Sequence, residues 1–210
     1  MEKLSLVMCL AALTASAAPA AAQTSLMVYG GLTEAEAVIE ALEPSATSST
    51  RTGLHAGAAV RLPLLGLIGL RLDGSYSEKG VSLNVAEGPV TANIDVRMPY
   101  VEFTPAITVG TRFVYAFAGP WGAYRTGCEA TLSIQSQTQT DDCDEAGLEI
   151  ESLDFGYAVG AGAGIGIAGN WSIGVEASVS RGLSDIDADS DGSDRNNAAQ
   201  VRGFLSLPLG

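Results

Sequence analysis

From Asp154 to Ile167 the chain alternates without a break. Phe155, Tyr157, Val159, Ala161, Ala163, Ile165 and Ile167 hold one set of positions. Asp154, Gly156, Ala158, Gly160, Gly162, Gly164 and Gly166 hold the other. Successive side chains of a strand point to opposite faces, so this period predicts one apolar face and one nearly bare face. A helix, turning about 100° per residue, would scatter both sets around its circumference. Ala168-Gly169-Asn170 then predicts a tight turn. After it, Trp171, Ile173, Val175, Ala177 and Val179 alternate with Ser172, Gly174, Glu176, Ser178 and Ser180. Gly164, Gly166 and Gly169 also spell G-x-G-x-x-G, but a dinucleotide loop must open a helix whose N-terminus receives the pyrophosphate. A second strand follows here instead, so no cofactor is expected.

The same alternation recurs elsewhere. Leu26–Leu32 predicts a first strand, Gly53–Leu62 a second and Ile68–Ser77 a third. "IDVRMPYVEFTP" predicts a fourth, with Pro99 expected to shift its register, and Phe113, Tyr115, Phe117, Gly119 and Trp121 carry a fifth. With the two strands above and a last one from Gln200 to Leu209, the count is eight. Short connections (Pro63–Gly66, Pro105–Arg112, Ala168–Asn170) alternate with long polar ones (Thr33–Arg51, Lys79–Asn93, Arg125–Glu151, Arg181–Asn197). An even count with alternating short and long links is the pattern of an outer-membrane barrel. The expected fold is all-β: an eight-stranded antiparallel up-and-down transmembrane β-barrel with short periplasmic turns and long extracellular loops.

The two faces differ in a way that sets their orientation. A soluble barrel would put the apolar set inside and Lys, Glu and Thr outside. Here the second set is Gly, Ala and Ser with scattered charges, a poor solvated surface but a fitting interior for eight strands. We therefore expect the apolar set to face lipid. His55, Arg61, Arg71, Asp73, Glu102, Tyr124, Asp154, Glu176 and Arg202 are expected to form a packed polar network in the lumen.

Composition sharpens this picture. With 11 Lys and Arg against 24 Asp and Glu the net charge is −13, which argues against nucleic acid as a partner. Of the acidic residues, 17 fall in the four long connections, so the charge belongs mostly to one rim. Lys3, the apolar run Leu4–Leu13 and "SAAPAAAQ" read as a secretory signal peptide over residues 1–22, leaving 23–210 as the barrel domain. After it no run of 18 apolar residues offers a transmembrane helix. Export implies an oxidising compartment, and Cys128 and Cys143 flank a polar stretch, so a disulfide between them is expected.

Candidate chemistry is sparse. His55 is the only histidine, it falls by parity on the lumen side, and no G-x-S-x-G elbow is present, so no enzyme activity is expected. "DADSDG" places Asp187, Asp189 and Asp191 as in the front half of an EF-hand loop, but Ala198 stands where the bidentate Glu belongs. A solvated acidic loop and a weak Ca2+ site in the last extracellular loop both stay open.

"SYSEKG" (Ser75–Gly80), "YVEFTP" (Tyr100–Pro105), "AGP" (Ala118–Pro120), "DFGYAVGAGAG" (Asp154–Gly164) and "SRGLSDI" (Ser180–Ile186) resemble, in order, the landmarks of the small porin-family outer-membrane β-barrel proteins of Gram-negative bacteria. Such chains commonly end in an aromatic residue read during membrane insertion, whereas Phe204 is the last aromatic here. The resemblance implies an eight-stranded outer-membrane barrel served by the barrel-insertion machinery, in contact with outer-membrane lipid and lipopolysaccharide. The expected role is structural or surface-interacting: a monomer that anchors acidic loops for a surface partner. A narrow channel for ions or small solutes, and a soluble periplasmic lipid-binding barrel, are the alternatives.

Overall fold

In the computed structural model, which describes residues 23–38, 46–87, 90–134, 137–147, 150–184 and 195–209, most of the described chain lies in strands. In order these are β1 (Ser25–Val38), β2 (Ala46–Leu65), β3 (Ile68–Glu87), β4 (Val90–Gly110), β5 (Val114–Arg125), β6 (Glu129–Ile134), β7 (Gln137–Asp142), β8 (Leu153–Gly166), β9 (Ser172–Gly182) and β10 (Arg195–Pro208). Every pairing is antiparallel. Starting at β1, the ladders run through β2, β3, β4, β5, β8, β9 and β10 and back to β1. The result is a ring-like up-and-down sheet, which exposes no edge along that circuit.

The three short turns and both ends of the described chain gather at one end of the ring. Gly66, Gly169 and Asn170 adopt left-handed backbone there, with φ of 57°, 71° and 63°, a conformation that Gly takes freely and Asn tolerates. At the opposite, loop end three of the four connections are longer, whereas β3 and β4 are separated only by residues 88–89.

Ten strands stand where the alternation predicts eight. The extra pair, β6 and β7, is a hairpin outside the circuit. β6 pairs with the loop end of β4 from Arg97↔Glu129 to Ala92↔Ile134, and β7 pairs with β6. The supposed loops Thr33–Arg51 and Lys79–Asn93 are also largely strand, and β3 and β4 stay paired out to Glu87↔Val90. Alternation persists through this region. Val81, Leu83, Ile94 and Val96 share one face, while Ser82, Asn84, Asn93 and Asp95 share the other. Polarity on one face marks a half-wet antiparallel sheet as readily as a loop.

Two proline readings are corrected by the register. The β3–β4 ladder runs straight through Pro99, which sits opposite Glu78. Pro99 instead marks where β4 exchanges one neighbour for another, from Tyr100↔Arg125 on β5 to Arg97↔Glu129 on β6. A residue without an N–H is suited to such a break. Pro105 lies inside β4, and the short connection there is residues 111–113. Register shifts occur in β2, between Thr50 and His55 and between Pro63 and Leu65.

Burial is inverted relative to a water-soluble domain. Val28, Leu54, Phe103, Phe155, Val159 and Val201 are exposed, while Arg71, Asp73, Glu102 and Arg202 are buried. Along β9 the contrast falls between neighbours: Val175 is 62% exposed and Glu176 is 1% exposed. On β5 the expected orientation is reversed, since Tyr115, Phe117 and Trp121 point inward. The glycine face of β8 explains why. A Cβ on Gly162 would lie 2.5 Å from the Tyr115 ring, and one on Gly160 would lie 2.5 Å from Phe117. The bare face is a socket for aromatic rings.

Candidate functional site

Because alternate residues point inward, the ring collects its charged side chains in two tiers. In the tier nearer the turns, Glu176 on β9 sits between two guanidinium groups. Arg71 Nη1 on β3 donates to Glu176 Oε2 at 2.7 Å, and Arg202 Nε on β10 donates to Oε1 at 2.6 Å. Tyr115 Oη on β5 adds a bond to Oε2 at 2.5 Å. Asp73 balances the second cation: it accepts from Arg71 Nε at 3.0 Å and from Tyr29 Oη, and Arg202 Nη2 approaches it to 3.7 Å. Arg202 lies 4.1 Å over the Tyr29 ring, and Arg71 lies 4.6 Å over Phe117. Two cations, two carboxylates and aromatic faces thus saturate one another.

His55 belongs to this tier. Arg202 Nη1 lies 2.7 Å from His55 Nε2. A guanidinium can only donate, so Nε2 accepts and the ring proton sits on Nδ1. The ring stacks on Tyr29 with centroids 5.5 Å apart. The imidazole is thus held by an arginine and an aromatic face, and among the described residues its Nδ1 has no hydrogen-bond partner.

The second tier lies nearer the loop end. Lys79 Nζ on β3 is 2.6 Å from Glu102 Oε1 on β4, 3.9 Å from Asp154 Oδ2 on β8 and 4.0 Å from the Trp121 ring. Asn196 Nδ2 on β10 donates to Asp154 at 3.1 Å, and Ser184 Oγ donates to its other oxygen. Between the tiers a cavity of about 20 Å3 is bordered by His55, Asp73, Glu102, Thr104, Ser178 and Gln200. That is room for roughly one water molecule.

Seven of the sequence-predicted lumen residues therefore fall into these two tiers. His55, Arg71, Asp73, Glu176 and Arg202 form the first, and Glu102 and Asp154 belong to the second. Arg61 stands apart near the turns, 3.9 Å over the Tyr115 ring with Nη2 3.4 Å from the Thr111 carbonyl. Tyr124 corrects the expectation: it points outward and is 57% exposed, because its parity on β5 is that of Val114 and not of Tyr115. Lys79, assigned from sequence to a loop, is a full member of the second tier. Its signal was parity, since Arg71, Asp73, Ser75, Ser77 and Lys79 share one face of β3.

Above the second tier the loop end carries its own packed cluster. Val81, Val96, Met98, Tyr100, Trp121, Cys128, Ala130 and Cys143 are buried together. Cys128 and Cys143 are disulfide-bonded across 15 positions, with Cα atoms 5.4 Å apart, and tie off the β6–β7 hairpin. On the outer face Arg97 bridges Glu129 at 3.2 Å and Glu78. Burial pushes the Glu78 carboxyl up, but bonds from Arg97, the Leu54 amide and Tyr76 outweigh it and hold the group below its ordinary range. Among the described residues no group of three or more His, Cys, Asp or Glu is placed to hold a metal. Asp187, Asp189 and Asp191 lie outside the described residues.

The family model described as "Outer membrane protein beta-barrel domain" matches residues 7–202. No curated protein matches the chain. Among solved structures, the attachment invasion locus protein Ail of Yersinia pestis, in complex with the heparin analogue sucrose octasulfate, is 11% identical with a TM-score of 0.41, covering 88% of this chain and 99% of its own. Neisserial surface protein A is 10% identical with a TM-score of 0.45, covering 88% and 97%. The outer membrane protein OprG of Pseudomonas aeruginosa is 9% identical with a TM-score of 0.39, covering 90% and 97%.

Proposed function

This chain belongs to the outer membrane protein beta-barrel domain family, and on that premise we propose that it is a non-catalytic surface-display protein. The family indicates an outer-membrane location. In our reading residues 1–22 direct export, and the eight strands of the circuit cross the outer membrane with the turns in the periplasm. The loop-end extensions of β2, β3 and β4, together with the β6–β7 hairpin, then stand outside the cell as the interaction surface.

One observation carries this reading over a channel: the lumen is filled by charged groups that neutralise one another. Arg71 and Glu176 are each fully buried, and both span the interior to a partner on a different strand. A conducting pore needs a hydrated path, whereas eight strands leave an interior just wide enough for side chains. Catalysis finds no support either, because the histidine is occupied by Arg202.

Single-channel recording in planar bilayers tests the proposal. Purified protein is expected to insert without steady conductance. Stable openings would favour the channel reading. A chain that stays soluble without detergent would instead favour the periplasmic lipid-binding alternative.

A further inference from the structure

The chain has two lysines among its 11 cationic residues: Lys3, in the segment read as an export signal, and Lys79. The other lumen cations are arginines, whose delocalised guanidinium keeps its proton, whereas a lysine amine freed of one proton is a nucleophile. Lys79 is also the side chain that both carboxylates of the second tier share. Its Nζ stands 2.6 Å from Glu102 Oε1 and 3.9 Å from Asp154 Oδ2. All three groups are buried, and the Trp121 and Tyr100 rings lie 4.0 and 5.2 Å from Nζ.

An amine held between two carboxylates away from solvent can react in a way that an exposed ion pair cannot. Glu102 is at contact distance to take a proton from the ammonium. Asp154 is set up as the electrophile, because both of its oxygens accept hydrogen bonds: Asn196 Nδ2 donates to one at 3.1 Å and Ser184 Oγ donates to the other. Such donors stabilise the charge that builds on oxygen when the carboxyl carbon is attacked. The fold holds the partners together, and effective molarities of about 10^5 M or more then favour condensation over the hydrolysis that bulk water would impose. The product is a neutral amide in place of a buried ion pair, whose two charges are costly to keep out of water.

We propose that Lys79 Nζ and Asp154 Cγ join in a spontaneous isopeptide bond, with Glu102 as the proton carrier. The Lys79 ammonium gives a proton to Glu102, Nζ bonds to Asp154 Cγ, and one C–O bond of Asp154 breaks. Two of the three ammonium protons, carried by Glu102, leave with that oxygen as water. Glu102 ends ionised, and the net charge of the tier is unchanged. The bond ties β3 to β8, which are not neighbours in the ring. It depends on the second tier alone, whatever the loop end binds.

The test is a mass measurement on disulfide-reduced, unfolded samples. Chain recovered in urea and never folded should weigh what its sequence dictates. The same chain, first folded into detergent micelles, should be lighter by the mass of one water. Cleavage after arginine should then yield a branched peptide joining residues 72–97 to residues 126–181. K79R, which keeps the cation and removes the amine, should fold at full mass. E102Q should form the link at least tenfold more slowly than wild type. Folding is checked by far-ultraviolet circular dichroism. Folded wild type at full mass, a mass loss that persists in K79R, or the absence of the branched peptide overturns the bond. Linkage in E102Q at the wild-type rate overturns the part given to Glu102. Should K79R not fold, the mass and branched peptide of the wild type decide the bond alone. Should E102Q not fold, E102D, whose carboxylate is drawn back by one methylene, carries the same expected slowing.

Discussion

Glu176→Gln preserves side-chain volume and removes one negative charge from the centre of the first tier. The Glu176 side chain is fully buried, with Arg71 2.7 Å from one oxygen and an Arg202 nitrogen 2.6 Å from the other. After the substitution, Asp73 alone faces two guanidinium groups, and the new amide presents donors where acceptors are needed. Breaking a single buried ion pair costs about 3–5 kcal/mol, because the abandoned charge stays desolvated. Two cations share this anion, so the upper half of that range is expected. With a urea dependence of about 2 kcal/mol per molar, the unfolding midpoint should fall by roughly 2 M. Equilibrium unfolding in phosphatidylcholine vesicles, followed by fluorescence of the inward Trp121 and the outward Trp171, reads the shift. Arg71→Met in the Glu176→Gln background should recover part of the loss, since it removes the surplus cation. A midpoint within about 0.3 M of wild type, less than 1 kcal/mol on the same urea dependence, would mean that water screens these charges. The filled-lumen argument would then fail.

Three further outcomes are expected. Val175→Arg places a charge near the middle of the outward face and should destabilise the folded protein by about 2–4 kcal/mol, read in the same vesicles; an unchanged midpoint would contradict the outward orientation. Gly162→Val forces a Cβ to within 2.5 Å of the Tyr115 ring and should cost about 1–3 kcal/mol by overpacking, whereas Gly30→Val, where a Cβ meets nothing, should be nearly neutral in a paired melt. Replacing both Cys128 and Cys143 with Ser should release a constraint worth about 3 kcal/mol in the chain-entropy model. Limited proteolysis of intact cells or proteoliposomes should then cut within residues 129–142 while the ring survives as a protected band.

Alternation made the ring legible wherever one face was uniformly apolar, as in β8 and β9. It served less well where both faces carry bulk. On β5 the aromatic set is larger than Val114, Ala116 and Ala118, so size pointed it at lipid, but the glycines of the neighbouring strand draw the rings inward. That choice depends on a cross-strand partner, which a single strand's period does not reveal. Strand ends were underestimated for a related reason. Polarity in Lys79–Asn93 suggested a loop, although Val81, Leu83, Ile94 and Val96 keep the period of two. The lumen residues were legible from parity, since charge on an otherwise small-residue face has few other uses. Their grouping was not, because Arg71 reaches Glu176 across 105 positions of sequence.

The ladder between β1 and β10 joins the first described strand to the last, from Ser25↔Pro208 to Val38↔Arg195. Arg202 rides on β10, yet its partners come from either side of that seam: Glu176 from β9, and His55 and the Tyr29 ring from β2 and β1. Closing the seam completes the seating of this one arginine. A chain whose ends have not met keeps Arg202 beside Glu176 on the neighbouring strand but leaves it without His55 and the Tyr29 ring, so a half-closed cylinder is electrostatically unfinished. The latch of the cylinder is built into its centre, where one arginine spans the join between the first described strand and the last.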